Sequence, residues 1–190
     1  MKINTRLLLC ACAFAVIHAT PVFAGNNPGD VTLTFSDAYY HFDNRRKLQN
    51  VGVPNLAIAY NFTQHIALEG GIGVFNTNQR GYSQRGVHGY LYTVDGLYRF
   101  TPYARWEPYV LFGIGAITLY PQLFDSEHQG NMNAGIGTQF FADNMIALRG
   151  EIRDIYTLSG GKNDVMVNFG ISFLFGDGKG PKVVEQKQGK

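Results

Sequence analysis

Beyond the first 24 residues the histidines are His41, His65, His88 and His128. None stands at a spacing that pairs it with a second metal ligand. Ser126, Glu127 and His128 are consecutive, and serine hydrolases use those residue types. Nucleophilic catalysis also needs the base within hydrogen-bond reach of the serine and a third group to orient it. Nothing nearby in the sequence fixes such a geometry, so the triplet reads as chance proximity in a polar loop. Gly71-x-Gly73, Gly113-x-Gly115 and Gly135-x-Gly137 superficially resemble phosphate-binding turns. Such turns must lead from a strand into a helix, whereas these glycines lie inside alternating segments and read as packing glycines. The expectation is no catalytic residue, no metal and no cofactor.

Two groups of charges say more. Glu69, Asp95, Arg99, Arg149, Glu151 and Arg153 all sit in the phase opposite to an apolar face. In a membrane-spanning sheet an arginine facing lipid costs ~2–4 kcal/mol at the midplane. These six are therefore expected to point inward and pair across a lumen. The plain reading is a plug of ion pairs in a barrel too narrow to conduct. The functional reading is a gate that opens a thin ion path when the pairs exchange. The second group, Arg45, Arg46, Lys47, Arg80 and Arg85, falls in two polar stretches. Basic loop residues pair well with phosphate, so these are expected to contact anions such as lipopolysaccharide phosphates. A merely solvated basic loop is the alternative.

The elements that position these residues follow from composition and periodicity. Charged residues make up only 16 % of the 190, against ~25 % in ordinary soluble chains. Mean hydropathy is nevertheless −0.09. Lys2 and Arg6, then the apolar run Leu7 to Ile17, then Val22-Phe23-Ala24 read as a secretory signal peptide over 1–24. Both cysteines, Cys10 and Cys12, lie within it, so the mature chain is expected to hold no disulfide and no cysteine metal site. Removing Lys2 and Arg6 leaves 14 basic residues against 14 acidic ones, so the charge balance gives no ground for expecting a nucleic-acid partner.

After Gly25 the pattern becomes strict alternation, the mark of strands with one apolar face. Eight segments of about ten residues emerge, the length a tilted strand needs to cross a bilayer. Val31, Leu33 and Phe35 oppose Thr32, Thr34 and Ser36 in the first. Leu56, Ile58, Tyr60 and Phe62 share a face in the second, and Ile66, Leu68, Ile72 and Val74 in the third. Tyr90, Tyr92, Val94, Tyr98 and Phe100 do so in the fourth. The fifth, about Pro108 to Tyr120, is apolar or glycine on both faces and cannot be phased. Met132, Ile136 and Phe140 mark the sixth, Ile146, Leu148 and Ile152 the seventh, and Val165 to Phe175 the eighth. The opposite face is mostly Gly, Ala, Ser, Thr and Asn, which suits a narrow barrel interior better than a soluble sandwich. The expected fold is all-β: an eight-stranded antiparallel up-and-down transmembrane β-barrel over 25–176, with a short polar tail at 177–190. Short periplasmic turns are expected near 61–66, 101–107 and 142–145. Longer outer loops are expected near 41–52, 76–87, 121–130 and 157–163. Tyr60, Phe62, Tyr98, Phe100, Tyr103, Trp106, Phe140 and Phe141 are expected to form one aromatic girdle. Tyr39, Tyr82, Tyr90, Tyr120 and Tyr156 are expected to form the other.

The eighth segment carries a more specific motif, Asn168-x-Gly170-x-x-Phe173-x-Phe175. It resembles the C-terminal assembly signal of outer-membrane barrels. With Trp106-Glu107-Pro108-Tyr109-Val110, Phe112-Gly113-Ile114-Gly115 and Ala147-Leu148-Arg149-Gly150-Glu151, the stretch Val31 to Phe175 resembles the transmembrane domain of the OmpA-type family. That resemblance implies residence in the outer membrane, an internal charge cluster, and recognition by the barrel assembly machinery. The peptidoglycan-binding domain common in that family does not fit into the residues after Gly176, so cell-wall tethering is not supported. The expected role is structural: a rigid barrel set in outer-membrane lipid and lipopolysaccharide, supporting envelope integrity and displaying loops for adhesion or for binding an unidentified surface ligand. A gated ion channel is the alternative, and a lipid A-modifying enzyme a more distant one.

Overall fold

The computed structural model describes residues 26–121 and 126–176, without the side chains of 82–85. The expected signal peptide and the tail lie outside the described residues. Within them the chain is a closed barrel of eight antiparallel strands in sequence order. The strands are β1 (Val31–His41), β2 (Val51–Asn61), β3 (Ile66–Gln79), β4 (Tyr82–Arg99), β5 (Trp106–Pro121), β6 (Glu127–Phe141), β7 (Ile146–Thr157) and β8 (Lys162–Phe175). Closure comes from β1 pairing with β8, from Val31 opposite Phe175 to His41 opposite Val165. A closed sheet leaves no strand edge, so every backbone polar group within the wall can be satisfied away from water.

Alternation decides which side chains face out. Phe35, Leu56, Ile58, Leu68, Val94, Phe112, Ile136, Leu148, Ile152 and Phe169 are exposed on the outer wall. The intervening Thr32, Thr34, Glu69, Asp95, Asn131, Asn133, Glu151 and Ser172 are buried inside. A wall apolar outside and polar inside is stable when lipid is the outer solvent. β5 also has a definite phase: Glu107, Tyr109, Leu111, Ile117 and Leu119 face in, and Trp106, Val110, Phe112 and Ile114 face out. Its inner face carries Gly113 and Gly115 between those bulky residues, which is why periodicity could not phase it.

Three expectations are corrected. The connection read near 76–87 is mostly strand. β3 and β4 continue to a tight turn at Arg80 and Gly81, where Gly81 takes φ +85°. Outside the bilayer a strand has no apolar face, so its polar residues resemble a loop. Connection lengths therefore do not separate the two ends. Residues 42–50 form the longest connection, but 158–161 is no longer than 62–65 or 142–145. What differs is strand length: β4 has 18 residues and β1 has 11, so one side of the barrel stands taller. Finally, Phe141 is not in the girdle; it points inward and packs with Ala147 and Leu174. The other girdle residues at that end, Tyr60, Phe62, Tyr98, Phe100, Tyr103 and Trp106, are exposed, with Phe140 against Trp106. Tyr39, Tyr90, Tyr120 and Tyr156 are exposed toward the opposite end; the Tyr82 side chain lies outside the described residues.

Candidate functional site

The lumen is filled in three tiers. In the middle, Arg149 of β7 forks onto Glu69 of β3, with Nη1 2.5 Å from Oε2 and Nη2 2.9 Å from Oε1. Arg149 Nη2 also lies 2.6 Å from Glu151 Oε2. Arg153 bridges Glu151, at 2.8 Å, and Asp95, at 2.7 Å. Parallel N–H donors on a carboxylate are the strong form of this interaction. Tyr109 completes the tier: its hydroxyl donates to Glu151 Oε2 and accepts from Arg149 Nε, both at 2.7 Å.

Arg99 does not join this tier. It sits nearer the end where the barrel chain begins and finishes, 3.8 Å from Glu107 and donating to Asn61 Oδ1 at 2.6 Å. Asn26 closes that end. Its amide nitrogen donates to Glu107 at 2.5 Å and to Gln139 at 3.0 Å. Its amide oxygen accepts from Thr32 at 3.3 Å and Asn61 at 3.2 Å. One side chain thus ties together β1, β2, β5 and β6.

The opposite end is sealed by the 42–50 connection. Phe42 and Leu48 fold inward and pack with Tyr40, Val53, Phe75, Val87, Leu91, Ile117, Leu119, Ile155 and Met166. A one-turn 3-10 helix, Asn44–Arg46, carries Arg46 over the barrel mouth. Arg46 is 1 % exposed at its side chain, so the expectation that it meets external anions is corrected. It binds Asp164 at 2.9 Å, Gln129 at 2.9 Å and Thr157 at 2.5 Å. Asp164 also accepts from the Tyr40 hydroxyl and the Asp43 backbone N–H. The pull is electrostatic: Asp164 is a buried carboxylate, and Arg46 is the cation it pairs with.

The remaining loop cations are partly engaged. Arg45 holds Asp43 at 2.6 Å and donates to the carbonyls of Gly160 and Gly161. That guanidinium holds the Asp43 carboxyl well below the usual carboxylate range. Arg80 donates to Asn44 Oδ1 at 2.5 Å. Lys47 is exposed and takes φ 54° at the end of the 3-10 turn. The Arg85 side chain lies outside the described residues.

The strand 8 motif lies at the seam. A Cβ on Gly170 would meet Ser36 Cβ at 2.4 Å and the Phe35 carbonyl at 2.5 Å, so β1 and β8 close only over glycine. Phe173 packs edge-on against Phe35 at 6.2 Å, Phe175 is exposed, and Asn168 points inward. Among the described residues no group of three His, Cys, Asp or Glu side chains is placed to hold a metal. Glu107, Tyr109, Asn26 and Asp164 are lumen residues that charge and motif reading missed. Alternation could not mark Glu107 or Tyr109, because the fifth segment could not be phased from the sequence.

The likeness to known proteins concerns this whole barrel. No curated protein matches the chain. The N-terminal β-barrel domain of Pseudomonas aeruginosa OprF is 19 % identical, covering 79 % of this chain and 100 % of its own, with a TM-score of 0.62. Neisserial surface protein A is 10 % identical over 77 % of this chain and 99 % of its own, at 0.65. The attachment invasion locus protein Ail of Yersinia pestis is 17 % identical over 78 % and 99 %, at 0.58. Ail has also been solved with the heparin analogue sucrose octasulfate. At such identities the likeness is one of fold. The family model for the outer membrane protein beta-barrel domain, however, matches residues 8–175. The chain belongs to that family of outer-membrane β-barrels.

Proposed function

We propose that this protein is a sealed anchor of the outer membrane. It sits in lipid and lipopolysaccharide, supports envelope integrity, and presents the 42–50 connection, the β3–β4 hairpin and residues 158–161 at the cell surface. It catalyses no reaction. The observation that carries the reading is the filled lumen. Beside Arg149 and Arg153 the central tier leaves a cavity of about 30 Å³, room for a water or two. Both ends of the barrel chain, Val31 and Phe175, lie opposite the 42–50 connection. This supports a chain that enters from the periplasm and leaves its ends there. The Gly170 seam and the outward Phe173 and Phe175 support recognition of β8 by the barrel assembly machinery.

Exposed Lys47, with Arg45 and Arg80 beside it in the same loop system, supports a surface that meets polyanions, as Ail does with sucrose octasulfate. An epitope inserted between Gly160 and Gly161 tests the topology. Antibody binding to intact cells is expected; binding only after the outer membrane is opened would reverse the orientation.

One observation favours the channel reading. Arg149 is shared between Glu69 and Glu151, so a re-paired state is chemically available. That reading requires the seal at both mouths to open as well.

A further inference from the structure

The lumen does not balance its charge. Among the described residues, and apart from Asp30 just ahead of β1 at the mouth, its buried acids are Glu69, Asp95, Glu107, Glu151 and Asp164, and its buried bases are Arg46, Arg99, Arg149 and Arg153. Arg99 with Glu107 and Arg46 with Asp164 are neutral pairs. The excess negative charge therefore belongs to the central tier, where Arg149 and Arg153 face Glu69, Glu151 and Asp95. A buried unit charge without a partner is costly enough that proteins neutralise it.

The unmet oxygens lie at one place. Asp95 Oδ2 is bound by Arg153, and Asp95 Oδ1 has no partner beyond a loose approach of the Asn133 amide. Neither amide atom of Asn131 has a hydrogen-bond partner, and neither of Asn133's has one of good geometry. These three residues are 0 %, 1 % and 2 % exposed. They flank a stretch of β5 whose inward positions are glycine. Asp95 and Asn133 are the register neighbours of Gly113 on its two sides, and Asn131 is the neighbour of Gly115. A Cβ on Gly113 would stand 2.0 Å from Asp95 Oδ1, and one on Gly115 would stand 2.8 Å from Asn131 Oδ1. The carboxylate and the amide lean over the bare β5 backbone. Glycine there clears space for oxygens that lack a partner of good geometry.

We propose that the barrel encloses a bound monovalent alkali cation, held by Asp95 Oδ1 and by the amide oxygens of Asn133 and Asn131. Oxygen donors of this kind suit hard cations, not the soft metals that want His or Cys. A single positive charge neutralises the central tier, whereas a divalent ion would overshoot it. With both mouths closed, the ion enters as the barrel folds. The full-length mature barrel is therefore unfolded in urea and refolded into detergent at fixed ionic strength. The salts are the chlorides of N-methylglucamine, lithium, sodium, potassium and caesium.

The expected result is a saturable rise of about 5–10 °C in the unfolding temperature with one preferred alkali ion over N-methylglucamine. Asp95→Asn, which cancels the excess charge, should flatten the series. Thallium(I), present as an electron-dense potassium mimic while the wild-type barrel refolds, should give an anomalous peak within reach of Asp95 in crystals of that protein. Identical unfolding temperatures in all five salts would overturn the proposal. So would proton uptake on folding with no ion preference, which assigns the missing charge to a proton. The wild-type series decides the matter even if Asp95→Asn fails to fold.

Discussion

Arg149 and Glu69 stand on β7 and β3, opposite walls of the barrel, and their two hydrogen bonds span the lumen. No backbone pairing joins those strands directly; the closed sheet sets the width of the barrel, and this pair braces its two walls at this height. Removing Arg149 leaves Glu69 buried with no cation and Glu151 with one fewer. Arg149→Ala should cost ~3–5 kcal/mol. Arg149→Lys should recover part of that, because an ammonium keeps the charge but not the fork. Urea unfolding followed by the fluorescence of Trp106, the single tryptophan, measures both.

The Arg46–Asp164 pair at the opposite mouth permits a cleaner cycle. Arg46→Ala strands the Asp164 carboxylate and should destabilise by ~3–5 kcal/mol. Arg46→Met combined with Asp164→Leu removes both charges and keeps the volume. The double variant should recover most of the loss, and a loss as large as the single variant's would show that the loop is held by something other than this pair.

Asp43 gives a pH signature outside the membrane-spanning wall. Its folded pKa is depressed, chiefly by the Arg45 side-chain hydrogen bond. The stabilisation it supplies is therefore present above the ordinary aspartate pKa of about 3.9. It is lost as pH falls through the lower folded value. The NMR titration of the Asp43 carboxyl should have a midpoint below that of an ordinary aspartate. Arg45→Ala should move it back up, and the backbone amide of Asn163, which donates to Asp43, should follow the same curve.

Gly170 tests the seam. An alanine methyl there meets the Phe35 carbonyl, which cannot move without disturbing the β1–β8 ladder. Gly170→Ala should cost ~1–3 kcal/mol and lower the fraction of chain that resists unfolding in unheated gel samples. An unchanged fraction would mean that the seam has slack.

Much of this was legible in the sequence, and the limits have physical causes. Phase was readable wherever one face meets lipid, because a one-residue slip would turn every side chain over. Thus Glu69, Asp95, Arg149, Glu151 and Arg153 could be assigned inward as a set. Arg99 had the right phase, but its height relative to Glu107 depends on register, which periodicity does not encode. Arg46 was misread because its burial comes from loop curvature: a 3-10 turn swings it over Asp164. Asn26 carries no charge and no periodicity, so nothing local signals that it closes the lumen. The β3–β4 hairpin lost its apolar face beyond the membrane and with it the strand signal.

The most direct test of a sealed barrel is electrical. Protein refolded in detergent, and shown by heat-dependent gel migration to be folded, is inserted into planar lipid bilayers and held at voltages of both signs. A lumen closed by Asn26, the Arg149 network and the Phe42–Arg46 loop predicts no current steps in the wild type. Regular steps in the wild type, altered by Arg149→Ala, would contradict the seal and establish the gated channel instead.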